Sequence, residues 1–338
     1  HYRGDIDLDS DQLIRQADQA MYQAKQTGRN RFHVFDADHE RAIQGRHESI
    51  ARIHQALTNN EFVLHYQPKV NMRNGVMTGA EALIRWVHPD RGMLAPGMFL
   101  PHIETDRAGI SLGEWVISTA LAQIDAWQQA GITLTVSVNI SAHHLQQVDF
   151  SDRLKILLEQ HPNVPPASLE LEVLESSALE DIEHVSTVIS ACAALGVRFA
   201  LDDFGTGYSS LIYLKRLPVD VLKIDQSFVR DMLHDPGDLS ILEGVLGLAR
   251  AFHREVIAEG VETEAHGRLL LQLGCEQAQG YGIARPMPAE AVSAWAKQWS
   301  APDAWKQTDR LQPQDIELLY AASEHRAWLD GLEVFLRG

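Results

Sequence analysis

Eight polar side chains in this sequence of 338 residues stand inside or at the ends of short apolar runs: Glu81, Asn139, Glu172, Asp202, Asp203, Lys223, Glu259 and Gln279. Five are carboxylates, two are amides and one is an amine. Carboxylates brought to one place repel and resist ionising together. Mg²⁺ or Mn²⁺ removes that cost, because both ions favour carboxylate, amide oxygen and water. Two such ions about 3.5–4 Å apart can activate a water and stabilise a leaving oxygen. A lysine beside them can steady the water or a phosphoryl oxygen. The residue set therefore suits phosphodiester hydrolysis, within a broader class of metal-dependent hydrolases or lyases. A glycosidase with two carboxylates is the rival, and it needs neither the asparagine, the lysine nor the adjacent Asp pair. Taken one at a time, each residue has a plainer reading. A strand-end acid caps a helix or faces water, Lys223 snorkels to the surface, and Asn139 sits in a turn. No His/Cys cluster has zinc spacing, and His143-His144 are adjacent rather than on one face.

The stretch GVRFALDDFGTGYSSL at 196–211 organises the chain. Val197–Leu201 reads as a buried strand that ends in Asp202 and Asp203. Gly205 and Gly207 then permit tight turns. Upstream, Phe62–Pro68 alternates as a strand, and Asn74-Gly75 signals a hairpin into the returning strand Val76–Arg85. Alternation puts Glu81, Leu83 and Arg85 on one face of that strand. Two helices are expected over 98–130, a strand over 132–140 and a strand over 168–175 with Glu170 and Glu172 on one face. A helix over 178–194, a strand over 219–224 carrying Lys223, a helix over 238–253 and a strand over 255–258 follow. Strand–helix repetition about eight times over predicts an α/β fold with a mainly parallel sheet. The span 60–297 fits a closed (β/α)₈ barrel, in which such residues would share one mouth. A doubly wound open sheet is the alternative.

The formal net charge of −17 argues against nucleic acid as a bulk ligand and leaves room for a small anion held by metals. Two distant cysteines, Cys192 and Cys275, point to a reducing, cytoplasmic setting without a disulfide framework. The absence of any apolar run of about 18 residues predicts no membrane contact for this chain. The first residue is histidine, not methionine, so an anchor in the bacterial inner membrane is expected, if anywhere, on segments upstream.

The motifs then resemble one family. Glu81-Ala82-Leu83 with Arg85, YQP at 66–68, SVNIS at 137–141, ELEVLES at 170–176, LDDFGTGYSSL at 201–211, LKID at 222–225, AEGVE at 258–262 and QGYGIARPM at 279–287 are similar, in order, to the blocks of the EAL domain family of cyclic di-GMP phosphodiesterases. The resemblance implies a TIM-like barrel with an antiparallel first strand, two Mg²⁺ or Mn²⁺ ions, and opening of cyclic di-GMP to linear 5′-pGpG. It implies Glu81, Asn139, Glu172 and Asp202 as metal ligands, with Asp202 bridging, Asp203 on the second ion and Glu259 in the same network. Lys223 matches the lysine that holds the attacking water, and Gln279 a residue that orients the site. Arg85 matches a phosphate contact, while Gln67, Leu83 and Pro286 match the substrate groove. The loop Phe204, Gly205, Thr206, Gly207, Tyr208, Ser209 and Ser210 is implied in regulation and in a homodimer through the barrel, anchored by Glu175. Leu174 departs from the pattern, where threonine is usual. A catalytically inactive cyclic di-GMP receptor is the alternative function.

At the termini, ADQAMYQAKQTGRNRF at 17–32 resembles the closing helix and strand of a GGDEF domain. The expected organisation is a GGDEF-like fragment over 1–35, a linker helix over 36–59, the barrel over 60–297 and a helical extension over 298–338.

Overall fold

The computed structural model describes residues 49–207 and 211–311. Residues 1–48, on which the expected GGDEF-like fragment and most of the expected linker helix fall, 208–210 and 312–338 lie outside the described residues. The chain divides into two units, 1–58 and 59–338. In the first, residues 49–58 are helical.

Among the described residues the second unit carries ten strands: β1 (Phe62–Asn71), β2 (Val76–His88), β3 (Gly92–Leu94), β4 (Thr135–Asn139), β5 (Leu169–Leu174), β6 (Arg198–Phe204), β7 (Val221–Ile224), β8 (Glu255–Ala258), β9 (Gln277–Ala278) and β10 (Met287–Pro288). Their order is β10-β1-β9-β8-β7-β6-β5-β4-β2-β3, and β1 also pairs with β2. That extra pairing closes β1, β2, β4, β5, β6, β7, β8 and β9 into a barrel of eight strands. β1 runs antiparallel to both of its barrel neighbours, and the remaining pairs are parallel. The closed barrel replaces the open-sheet alternative.

Local chemistry accounts for the hairpin. Asn71 Oδ1 accepts from the backbone N–H groups of Arg73 and Asn74, and Asn74 Oδ1 accepts from Val76 N–H. The turn therefore satisfies itself, and an antiparallel partner is the short-range outcome. β1 runs past Pro68 to Asn71, longer than alternation alone indicates, and the register shifts between Lys69 and Val70. Around the barrel, helices cover the outer face of the strands. The helix Arg107–Gln129 buries Leu112, Val116, Ala120, Leu121, Ile124 and Trp127 as one stripe. Only this helix forms over 98–130. Two 3₁₀ turns, Pro96–Met98 and Leu100–His102, precede it. Pro96 and Pro101 stand in their first turns, where the missing N–H costs nothing. Likewise Asp181 (φ −143°) splits the expected helix 178–194 into Glu175–Glu180 and Ile182–Ala194.

Beyond 297, the described part of the extension packs on the barrel unit. Trp305 is buried against Gly267 and donates its indole N–H to Glu264 O at 2.8 Å. No helix among the described residues is long and apolar enough to cross a membrane.

Candidate active site

Inside the barrel, the pleat alternates residues between lumen and helices. Gln67 pairs with Glu81 across the hairpin, Glu81 lies level with Ser137, and Asn139 lies level with Glu172. Lys223 pairs with Ile257 at the next strands, and Glu259 and Gln279 stand directly after β8 and β9. Parity thus aims Gln67, Glu81, Glu172, Lys223, Glu259 and Gln279 at one space. Closure of the sheet gathers residues up to 212 positions apart in sequence.

Asp202 and Asp203 need more than parity, because neighbours on a strand point to opposite faces. The register of β6 against β7 breaks between Leu201 and Phe204. Asp203 takes φ 53°, a left-handed conformation rare for a residue with a Cβ. Its N–H is donated to Asp202 Oδ1 at 3.1 Å. This irregularity turns both carboxylates to the same side. Asp202, Asp203 and Glu259 each place a carboxylate oxygen within 4.8 Å of the others. Backbone outliers of this kind concentrate at functional sites.

Lys223 is 1% exposed and stands at the centre. Its ammonium lies 2.6 Å from Glu172 Oε2, 2.7 Å from Glu259 Oε1, 2.9 Å from Asp202 Oδ1 and 3.6 Å from Glu81 Oε2. The plain reading of Lys223 as a surface lysine does not hold. Burial works against its charge, yet the carboxylates of Glu172, Glu259, Glu81 and Asp202 outweigh burial and hold its pKa well above the ordinary lysine value. Burial would also raise Glu172, but Lys223 and Lys69 together hold it down at about 2. The other acids go the opposite way. Burial, aided by the neighbouring carboxylates and opposed by Lys223, lifts Asp202 to about 6 and Glu259 to about 8. Burial and the Asp225 carboxyl raise Asp203 as well.

The amides complete the arrangement. Asn139 Nδ2 donates to Glu81 Oε1 at 2.7 Å, which turns its carbonyl oxygen away from that carboxylate. Gln279 Nε2 donates to Glu81 Oε2 at 2.6 Å and to Gln67 Oε1 at 3.0 Å. Those two acceptors fix the amide, and Gln279 Oε1 is left buried without a hydrogen-bond partner. Gln67 Nε2 in turn donates to Ala284 O at 3.0 Å, tying β1 to the segment before Pro286. Gly280 lets that segment pass, since a Cβ there would lie 2.3 Å from Val261 backbone atoms.

Leu83 and Arg85 are half-buried, further along the same face of β2, and Pro286 is half-buried just before β10. The Arg85 guanidinium donates to Ile84 O at 2.9 Å. Glu175 is buried, and its Oε2 accepts from Gly205 N–H at 2.9 Å. Gly205 takes φ 104° at that contact. Phe204 is buried, Thr206 donates its hydroxyl to Asp203 O at 2.9 Å, and Gly207 lies against the Glu175 carboxylate. Leu174, the departing residue, is 39% exposed at the end of β5. His144 packs edge-on against Phe150, a core contact remote from these carboxylates in chemistry.

A divalent cation can be tested against this donor set. Every candidate ligand is an oxygen. Four carboxylates lie within 3.6 Å of one ammonium at the mouth, with Asp203 beside them, and burial together with the neighbouring carboxylates raises Asp202 and Glu259 in spite of that ammonium. A hard cation of the Mg²⁺ or Mn²⁺ kind fits such donors, and a thiophilic ion does not.

Alternation from Phe62 also carried a signal for residues the sequence reading passed over. Lys69 shares the parity of Gln67 and is 3% exposed. It contacts Glu172, Glu170 and Ser137, all buried. The proline at 68, read as the end of the strand, hid it.

A closed barrel with an antiparallel first strand and an acid-rich mouth around a buried lysine defines the class. The chain belongs to the EAL domain family, whose model matches residues 50–286. It is 41% identical over 284 residues to the bifunctional diguanylate cyclase/cyclic di-GMP phosphodiesterase MucR of Pseudomonas aeruginosa, covering 84% of this chain and 41% of that protein. It is 39% identical over 291 residues to the cyclic di-GMP phosphodiesterase PdeR of Escherichia coli, covering 86% of this chain and 44% of that protein. The chain thus spans less than half the length of these relatives. Among solved structures, the PaMucR phosphodiesterase in complex with c-di-GMP superposes with a TM-score of 0.70 at 42% identity, over 72% of this chain and 99% of that one.

Proposed function

We propose that this chain is a metal-dependent phosphodiesterase that hydrolyses one phosphodiester bond of cyclic di-GMP to give 5′-pGpG. The observation that carries the reading is the grouping of Asp202, Asp203 and Glu259 oxygens within 4.8 Å beside the buried Lys223. The likeness to phosphodiesterases at about 40% identity supports it.

In this reading Glu81, Asn139, Glu172, Asp202, Asp203 and Glu259 would hold divalent ions of the Mg²⁺ or Mn²⁺ kind, two being expected, with Asp202 as the shared ligand. Bound there, the ions supply acidification of a water and charge stabilisation on phosphoryl oxygens. Lys223, whose ammonium the surrounding carboxylates favour in the metal-free site, donates a hydrogen bond to the attacking water or to a phosphoryl oxygen. Arg85 meets a substrate phosphate. Gln279 fixes Glu81 and offers its free Oε1 to a donor in the site. Gln67, Leu83 and Pro286 line the groove. Water attacks phosphorus and gives up a proton, the P–O3′ bond breaks, and the 3′ oxygen takes up a proton, so one water is consumed per bond opened.

The loop from Phe204 to Ser210, held by Glu175 through Gly205, would transmit regulation and contribute to a homodimer. Residues 1–35 would close a GGDEF-like domain, 36–59 would link it to the barrel over 60–297, and 298–338 would follow as an extension. The protein would work in the cytoplasm.

The test is incubation of the purified chain with cyclic di-GMP and Mg²⁺ or Mn²⁺, then with EDTA. Metal-dependent 5′-pGpG is expected. Tight binding of cyclic di-GMP without product would replace the enzyme with a receptor and direct attention to Leu174.

A further inference from the structure

We propose that Lys69 is a positioning residue for the metal site: it grips one oxygen of Glu172 from the floor of the barrel and so presents the other oxygen to the mouth. The inference rests on the metal-dependent reading above.

The register places Lys69 one lumen step below the mouth. Lys69 pairs with Gly79, whereas Gln67 pairs with Glu81, and β1 runs opposite to β2. Its ammonium lies 2.7 Å from Glu172 Oε1 and 3.2 Å from Glu170 Oε1, and it donates to Ser137 Oγ. The other Glu172 oxygen, Oε2, is held by Lys223 at 2.6 Å. Both oxygens of this fully buried carboxylate are therefore engaged by lysines, one from each side.

The two lysines differ in what a cation entering the mouth does to them. Lys223 shares its charge with Glu81, Asp202 and Glu259, so a cation competes with it for every partner. Lys69 makes no hydrogen bond or ion pair with those three, and of their charges only that of Glu81 reaches it. Its partners Glu170 and Ser137 lie below Glu172, and Ser137 also donates to Glu170 Oε1 at 2.7 Å. The grip of Lys69 on Glu172 Oε1 thus persists while Lys223 is displaced. Neutralising Glu170 is not its main task, because Glu170 has Ser137 and Arg198 as well, and the Lys69 contact to Glu172 is the shorter one. Without Lys69, the Glu172 carboxylate has no partner on the floor and follows Lys223. Partners that orient a metal ligand are commonly worth about 10- to 100-fold in metal affinity.

The experiment uses the full chain. Free Mn²⁺ is followed by electron paramagnetic resonance, and the rise of Tm with Mg²⁺ gives an independent midpoint. Lys69→Met alone unbalances Glu170, so the informative variant is Lys69→Met/Glu170→Gln, which removes one buried charge of each sign. Its midpoint is expected to move upward about 10-fold or more. A folded double variant with the wild-type midpoint would overturn the proposal, because a merely structural lysine leaves metal binding untouched. Should the double variant not fold, Ser137→Ala decides. It keeps both charges and loosens one support of Lys69, with an expected rise of the midpoint smaller than that of the double variant, and no change overturns the proposal. Absence of saturable Mn²⁺ binding by the wild type would instead sink the metal reading itself.

Discussion

The two lysines inside the barrel live in opposite charge balances. On the floor, Glu255, Arg198, Glu170 and Lys69 alternate in sign from the lower rim upward, with Arg198 2.9 Å from Glu255 and 3.9 Å from Glu170. At the mouth, Lys223 faces four carboxylates within 3.6 Å, and Asp203 stands beside them as a fifth. The alternating column is complete without any further ion. The mouth is short of positive charge, and burial amplifies the shortage. Buried charge alone does not separate the two regions; the excess of carboxylates over ammonium at the mouth does.

Substitutions at the mouth should produce the largest effects. Asp202→Ala and Glu81→Ala are each expected to reduce 5′-pGpG formation by about 10³-fold or more at saturating Mg²⁺. Chromatographic turnover assays measure this, and full activity in either variant would mean that the acidic mouth is not the metal site. Calcium should bind without supporting turnover, because its longer, more flexible coordination suits the site poorly for catalysis. Equal rates in Ca²⁺ and Mg²⁺ would contradict that.

Lys223→Met sharpens the comparison by removing the only ammonium at the mouth. Breaking a buried ionic cluster from one side typically costs about 3–5 kcal/mol. The metal-free variant should therefore melt well below the wild type. Mg²⁺ should then raise its Tm more than it raises the wild-type Tm, since the ion replaces the missing positive charge. Equal Mg²⁺ increments in scanning calorimetry would break the contrast between balanced floor and unbalanced mouth.

The pH dependence separates the two regions further. Asp202 at about 6 and Glu259 at about 8 bind protons more tightly in the folded protein than in the unfolded chain, where such groups titrate near 4. The folded state thus holds more protons between about pH 4 and 8, and metal-free stability falls as pH rises through that window. Metal binding requires the ionised carboxylates, so affinity rises over the same range. The Tm gain from Mg²⁺ is expected to be greater at pH 8 than at pH 6. Glu172 is depressed to about 2, so its contribution is complete above the unfolded value and is lost only as pH falls toward 2. A gain that shrinks with pH would contradict the assignment of the raised acids to the mouth.

Much of this arrangement was legible in the residues. The strand–helix rhythm and Asn74-Gly75 led to the barrel and its hairpin, and period-2 alternation put Glu81, Leu83 and Arg85 on one face. Three features were not legible, each for a physical reason. Parity separates Asp202 from Asp203, and only the break in β6 register with Asp203 at φ 53° reunites them. The burial of Lys223 depends on carboxylates from four other strands or strand ends, which local sequence does not reveal. Lys69 was masked by its neighbour, since proline commonly ends a strand, whereas here β1 continues through Pro68 opposite Ala80.

The smallest effect is expected at the lower end of the column. Arg198 is partly exposed, and its partner Glu255 is mostly exposed, so solvent screens their attraction. Arg198→Gln keeps a hydrogen-bonding side chain and leaves Lys69 and Ser137 on Glu170. The change in stability should be about 1 kcal/mol or less, a Tm shift of about 2–4 °C at most. The Mn²⁺ midpoint should stay at the wild-type value, because Lys69 still grips Glu172. A large shift of that midpoint would mean that the column acts as one coupled unit from rim to mouth, and the distinction between a balanced floor and an unbalanced mouth would then fail.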